Sequence, residues 1–207
     1  MISQKEHWNR IYSSKPVSQL GWHESQPGPS LQLIERCPID RQKEALLDVG
    51  SGATTLLRAL LERGYQRIHA LDFSEVALEE AKEELGAERS VQIQWIVEDT
   101  TQPEQLPEIA LWHDRAVFHF LTEEAQRQGY LSALLGALRP GGYLVIATFA
   151  IGGATRCSGL DVHPYDRNSL DEFFGNHFNL LDCIDYTYQM PSGDLRPYVY
   201  ALFRRKG

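Results

Sequence analysis

Gly50 and Gly52 stand one residue apart in LLDVGSGATT, where a short apolar run stops and a leucine-rich helical pattern begins. Glycine at such a turn lets the backbone bend tightly and come close to a ligand. Asp72 closes the next apolar run about twenty residues on, the spacing at which an acid accepts the hydroxyls of a ribose. Asp99 closes the run after that, in WIVEDTT, where it or its neighbour can take an adenine amino group. Each has a plainer reading alone: a βα turn, an acid at a strand end, a turn cap. Their order on three successive run ends is more specific and points to a nucleoside-bearing cofactor.

Ala53 and Thr54 stand where dinucleotide loops carry a third glycine. A pyrophosphate needs close glycine contact and a bare helix N-terminus. The methionine end of S-adenosylmethionine carries no phosphate and needs less clearance, so Thr54 favours the methyl donor over NAD. Further along, His113, Asp114, Arg115 and His119 follow a fourth apolar run. Asp114 can position or deprotonate an amine, and His113 and His119 can act as bases near neutral pH. Hydrogen-bonded structural roles are the competing reading for each histidine. Cys157, His163 and Tyr165 follow a fifth run and are candidate acceptor contacts.

These residues need a scaffold that brings run ends to one edge. Residues 3–12 read as a helix with Trp8 and Tyr12 four apart on one face. A Pro- and Gly-rich loop containing Trp22 follows, and Ser30 can cap a helix through residue 36. Strands are expected at 46–49, 68–72, 91–97, 109–112 and 143–150, with Val91, Ile93, Trp95 and Val97 on one face of the third. Helices are expected at 54–63, from Ser74 to residue 85, from Thr122 to the RPGG turn at 139–142, and at 169–174. Alternating strands and helices mean βαβ units and a mainly parallel sheet. Strands at 180–189 and 198–204, joined by MPSGDLRP, form a hairpin expected at one sheet edge.

The 207 residues suit one α/β domain with a core that needs no staples. Three scattered cysteines with no CxxC pair argue against zinc or disulfides and fit a reducing cytoplasm. There is no apolar run of membrane-spanning length, and MISQKEHWNR lacks the apolar stretch of a signal peptide. A net charge of −8 weighs against broad binding to a phosphate backbone.

Residues 45–149 resemble the class I S-adenosylmethionine-dependent methyltransferases. LLDVGSGATT is similar to the family's glycine motif, ALDFSEVAL to its ribose-binding segment, VEDTT to its adenine-side segment, and RPGGYLVIATF to its turn into the fifth strand. Thr54 in place of the last glycine is the departure. The leader HWNRIYSSKPVSQLGWHESQPGPSLQLI and the segment WHDRAVFHFLTEE resemble the small elongation-factor lysine methyltransferases and their relatives. The resemblance implies a Rossmann-like, doubly wound, mostly parallel seven-stranded sheet with a C-terminal antiparallel hairpin. It implies S-adenosylmethionine as cofactor and S-adenosylhomocysteine as product. The cofactor contacts it implies are Asp48, Gly50, Ser51, Gly52, Asp72, Phe73, Asp99, Thr100 and His113, with Trp8, Tyr12 and Trp22 closing over them and Asp114 beside the methyl-transfer site. Residues 1–44 would form a lid, 45–150 the cofactor core, and 151–207 the acceptor loop and hairpin of one domain. The expected acceptor is a protein lysine or small amine, met by a monomer or weak homodimer, with no nucleic acid, membrane or metal involved. Alternatives are a thiol or metalloid acceptor and an inactive S-adenosylmethionine-binding module.

Overall fold

The computed structural model describes residues 3–52 and 54–207, so Ala53 of the glycine turn lies outside the described residues. The chain opens with α1 (Gln4–Ser14), capped by a reciprocal pair in which the Ser3 hydroxyl accepts from the Glu6 amide and the Glu6 carboxylate from the Ser3 amide. A 3₁₀ turn at Val17–Gln19 and α2 (Gly28–Ile34) follow. Then come β1 (Leu46–Val49), α3 (Leu56–Glu62), β2 (Ile68–Asp72), α4 (Glu75–Leu85), α5 (Ala87–Ser90), β3 (Ile93–Val97) and β4 (Ile109–Arg115). After a second 3₁₀ turn at Phe118–Phe120 the chain forms α6 (Glu124–Ala137) and β5 (Leu138–Phe149). A two-strand ribbon, β6 (Arg156–Cys157) and β7 (Leu160–Asp161), precedes α7 (Arg167–Phe174), β8 (Phe178–Gln189) and β9 (Leu195–Arg205).

The main sheet has seven strands in the order β3-β2-β1-β4-β5-β9-β8. The first five are parallel, and β9 runs antiparallel to both neighbours. This is the Rossmann-like, doubly wound arrangement, with the hairpin at the edge. Strand order reverses between β1 and β4, the switch point where open α/β sheets bind ligands beyond the strand carboxyl ends. Side chains alternate across the sheet. One face packs Leu46, Ile68, Leu111 and Val145 against Leu33 and Ile34 of α2 and Leu57 and Leu60 of α3. The other packs Leu47, Val49, Trp112 and Ile146 against Tyr130 and Leu134 of α6 and Leu170 and Phe174 of α7. No helix among the described residues is long and apolar enough to cross a membrane.

Several boundaries differ from expectation. Ser30 does not cap α2; it sits inside the helix, fully buried, with Pro27 at the cap position. β3 starts at Ile93, and Val91 (78%) and Val97 (44%) are exposed: β3 is an edge strand in which only Ile93 is fully buried, and Val91 lies before it. Glu123, not Thr122, caps α6, and Asp166 caps α7 by accepting from the Ser169 amide at 2.8 Å. β5 begins at Leu138, already pairing with Ile109 before the register shift that the RPGG turn absorbs.

α6 is tied to the sheet by one polar relay in an apolar layer. The Trp112 indole N–H donates to the Tyr130 hydroxyl at 2.8 Å, which donates to Asp114 Oδ2 at 2.7 Å. Tyr130→Phe would leave the buried indole N–H unpaired and is expected to cost about 1–3 kcal/mol. A thermal melt should show a midpoint lowered by roughly 2–4 °C per kcal/mol.

Candidate active site

β1 runs into the glycine turn, whose backbone leaves the ordinary regions at both glycines: Gly50 has φ +63° and Gly52 φ +40°. Space forbids a side chain as well. A Cβ on Gly50 would overlap Val117 Cγ2, and one on Gly52 would overlap the Tyr12 hydroxyl. The turn is fastened to the neighbouring strand by Ser51 N–H to the Leu71 carbonyl at 2.9 Å and Gly52 N–H to Asp72 Oδ2 at 3.1 Å. Asp72 Oδ1 accepts from the Ser74 amide at 2.9 Å. Burial pushes Asp72 up to about 6, against the pull of the Ser74 and Gly52 amides.

A second chain of polar groups lies beneath the turn. The Ser51 hydroxyl donates to Asp48 Oδ2 at 2.8 Å, Asp48 Oδ1 meets His113 Nδ1 at 2.6 Å, and His113 Nε2 meets the Ser30 hydroxyl at 2.9 Å. Asp48 and His113 are register partners on β1 and β4. The expectation that His113, Asp114 and Arg115 follow the fourth strand is corrected: β4 continues through Arg115. These polar residues read as a loop from sequence, yet they pair in the ladder and find partners inside the fold. Alternation then separates them. His113 and Arg115 face the side of Asp48, whereas Asp114 faces α6. There Asp114 accepts from the amides of Val117 (2.9 Å) and Phe118 (3.1 Å) and from Tyr130, and burial raises it to about 6. It shapes the turn after β4 and does not line the cleft.

His119 is also withdrawn. It is fully buried between Phe120 and Phe149, with ring centroids 4.6 and 4.3 Å away, and its Nδ1 accepts from the Phe149 amide at 3.2 Å. Burial, then the nearby Arg115 charge, lowers its pKa to about 3, so it is a neutral imidazole at physiological pH.

The cleft itself opens at the carboxyl edge of the sheet. Of the sequence candidates it brings together Trp8, Tyr12, Trp22, Gly50, Asp72, Phe73, Asp99, Thr100, Arg115 and Cys157. Trp8, Tyr12 and Trp22 pack edge-on or tilted with centroids 5.4–6.3 Å apart, and Phe120 joins Trp8 at 5.2 Å. α1 carries Trp8 and Tyr12 over the cleft and is pinned to the start of α4 by the Ser74 hydroxyl bonding Asn9 Oδ1 at 2.7 Å. Asp99 lines the cleft but also caps its own turn, its Oδ1 accepting from the Thr101 amide and hydroxyl at 2.8 and 2.7 Å. Asp48, Ser51 and His113 line a second cavity of about 430 Å³ behind the glycine turn, which shares Tyr12, Trp22, Gly50 and Arg115 with the cleft. Tyr165 packs on Phe118 (centroids 5.1 Å apart), and neither it nor His163 lines either space. Sequence reasoning missed Ala116, Val117, Phe120 and Tyr198, all at the cleft. Ala116 has φ +73°, a strained value for a residue with a Cβ, and no sequence signal marks it.

A buried acid at the second strand end, beside a glycine turn that admits no Cβ, fits a nucleoside cofactor. A family model described as a methyltransferase domain matches residues 47–144. In solved structures the same fold recurs in the N-methyltransferase NodS from Bradyrhizobium japonicum, in complex with S-adenosylhomocysteine (TM-score 0.77, 15% identity, 99% of this chain and 100% of that one). Over residues 47–144 the chain is thus similar to methyltransferase domains, and its fold is the one NodS has. A methyltransferase from Anabaena variabilis aligns similarly (TM-score 0.77, 18% identity, 100% and 96%). By sequence, EEF1A lysine methyltransferase 2 from Danio rerio is 25% identical over 162 residues, 71% of this chain and 69% of the relative.

Two outcomes follow from this geometry. Gly50→Ala forces a Cβ into Val117 at a left-handed backbone position and is expected to weaken S-adenosylmethionine binding by about tenfold or more in calorimetry. Asp72 is a better acceptor as a carboxylate, so affinity should fall as pH drops through about 6, and Asp72→Asn should flatten that profile. Its raised value makes its contribution to folding stability run the other way, present below its unfolded value of about 4 and lost as pH rises through about 6. Lost binding at low pH is therefore separable from unfolding by a parallel melt.

Proposed function

We propose that this chain is a class I S-adenosylmethionine-dependent methyltransferase that transfers the methyl group to an amine nitrogen, on a protein lysine or a small amine. The observation that carries this reading is the aromatic lid of Trp8, Tyr12, Trp22 and Phe120 over a cleft with no histidine or lysine among its described side chains. The bound donor supplies a sulfonium methyl whose displacement releases a neutral thioether. Asp72 accepts the ribose hydroxyls, Asp99 and Thr100 hold the adenine side, Phe73 flanks it, and Gly50 and Gly52 give the close backbone approach. Asp48, Ser51 and His113 act beneath them as positioning residues for the turn. Burial among these side chains disfavours an amine's charge, against the pull of the aromatic faces and of Asp72, Glu98 and Asp99. Because the leaving group is neutral, the main task is to align the nucleophile. Asp114 and His119 accordingly take positioning roles: Asp114 builds the Val117–Phe118 turn and His119 supports β5.

Two similarities support nitrogen as the target: the Danio relative is a lysine methyltransferase and NodS is an N-methyltransferase. In this reading residues 1–44 serve as the lid and 151–207 as the acceptor loop and hairpin. Cys157 favours a second reading, a thiol or metalloid acceptor, since the β6–β7 ribbon presents it to the cleft. Burial raises its thiol above the usual range, which disfavours the thiolate that such binding needs.

Labelled S-adenosylmethionine incubated with fractionated cell extract should label an amine-bearing protein or small molecule, and Asp72→Ala should abolish labelling. Cys157→Ser is expected to leave turnover on that acceptor within about twofold. Label confined to thiol-bearing products, or lost in Cys157→Ser, would support the second reading.

A further inference from the structure

Arg115 ends β4 on the same face as His113 and lines both the cleft and the cavity behind the glycine turn. Its guanidinium lies 5.3 and 5.2 Å from the ring centroids of Tyr188 and Tyr198, which meet each other edge to face. Its Nε contacts the Tyr200 hydroxyl and Glu24 Oε2, each at 3.1 Å, and its Nη1 donates to the Trp22 carbonyl at 3.0 Å. Its Nη2 is buried and has no partner among the described residues. A buried N–H without a partner demands an explanation, because burial removes the water that would otherwise satisfy it.

We propose that Arg115 Nη2 is a recognition point for a carboxylate bound in the cleft. The proposal rests on the reading of this cleft as the methyl-donor site. Every other feature of the side chain serves to hold that nitrogen still. Two tyrosine rings from β8 and β9 pack against it, and the leader supplies both Glu24 and the Trp22 carbonyl. Glu24 engages Nε and leaves Nη2 without a protein acceptor. The guanidinium is always charged, and its planar fork suits a carboxylate. The acids Asp72, Glu98 and Asp99 line the same cleft and disfavour a doubly charged phosphate there. One carboxylate has two possible sources. The donor's methionine carboxylate can reach Nη2 from the side of Gly50 and Ser51. An acceptor's carboxylate can reach it from the side of Cys157 and Tyr198.

Comparing S-adenosylmethionine with decarboxylated S-adenosylmethionine tests this in the wild-type protein, since the two differ only in the carboxylate. If the donor supplies it, wild type binds S-adenosylmethionine about tenfold or more tighter than the decarboxylated form, and Arg115→Gln removes the difference. If the acceptor supplies it, the two donors bind alike. In that case succinate binds the wild-type complex with S-adenosylhomocysteine, read by tryptophan fluorescence from Trp22, and fails to bind Arg115→Gln. Arg115→Lys, which keeps the charge but loses the fork, should fall between wild type and Arg115→Gln in whichever arm responds. Circular dichroism establishes that the variants fold, and the donor comparison needs no variant. Equal binding of both donors together with no succinate binding overturns the proposal and leaves the methyl-donor reading standing. Failure of wild type to bind either donor overturns that reading and the proposal with it.

Discussion

A two-glycine turn that cannot carry a Cβ is the constraint on which the cleft depends. Gly50 and Gly52 sit at left-handed backbone angles with Val117 and Tyr12 pressed into the space a side chain would need. Such a turn has few internal bonds of its own, so its neighbours must hold it. Asp72 of β2 accepts the Gly52 amide, and Leu71 accepts the Ser51 amide. Asp48 of β1 takes the Ser51 hydroxyl, is braced by His113 of β4, and His113 in turn reaches Ser30 of α2. Three adjacent strands and one helix thus set the position of three residues. Burying so many polar groups is tolerable because each has a partner.

The same logic extends to the walls. The leader and the C-terminal hairpin are far apart in sequence and meet around Arg115, which bonds the Trp22 carbonyl and Tyr200 and stacks on Tyr188 and Tyr198. Tyr188 also donates to the His23 carbonyl. The aromatics Trp8, Tyr12 and Trp22 therefore rest on a support that includes both chain ends. Segments on either side of the region matched by the methyltransferase-domain model, residues 47–144, thus both line the cleft.

Much of this was legible in the sequence where local chemistry decides structure. β1, β2 and the Ser74-capped α4 fall where apolar runs, an N-cap serine and a C-terminal glycine put them, and the glycine turn and Asp72 announce themselves by spacing. What stayed hidden depends on partners distant in the chain. His113, Asp114 and Arg115 look like loop residues until Asp48, Tyr130 and Glu24 are seen to satisfy them inside the sheet. Ser30 looks like a cap until His113 claims its hydroxyl. His119 looks like a base until Phe120 and Phe149 are found to enclose it. Ala116 carries a backbone strain that composition does not record.

The central claim is that this glycine turn with Asp72 holds S-adenosylmethionine and not a dinucleotide. Calorimetric titration of the wild-type protein with S-adenosylhomocysteine and, separately, with NAD tests it most directly. The account predicts saturable one-site binding of S-adenosylhomocysteine and no heat of binding with NAD. Saturable binding of NAD, or no binding of S-adenosylhomocysteine, would contradict it.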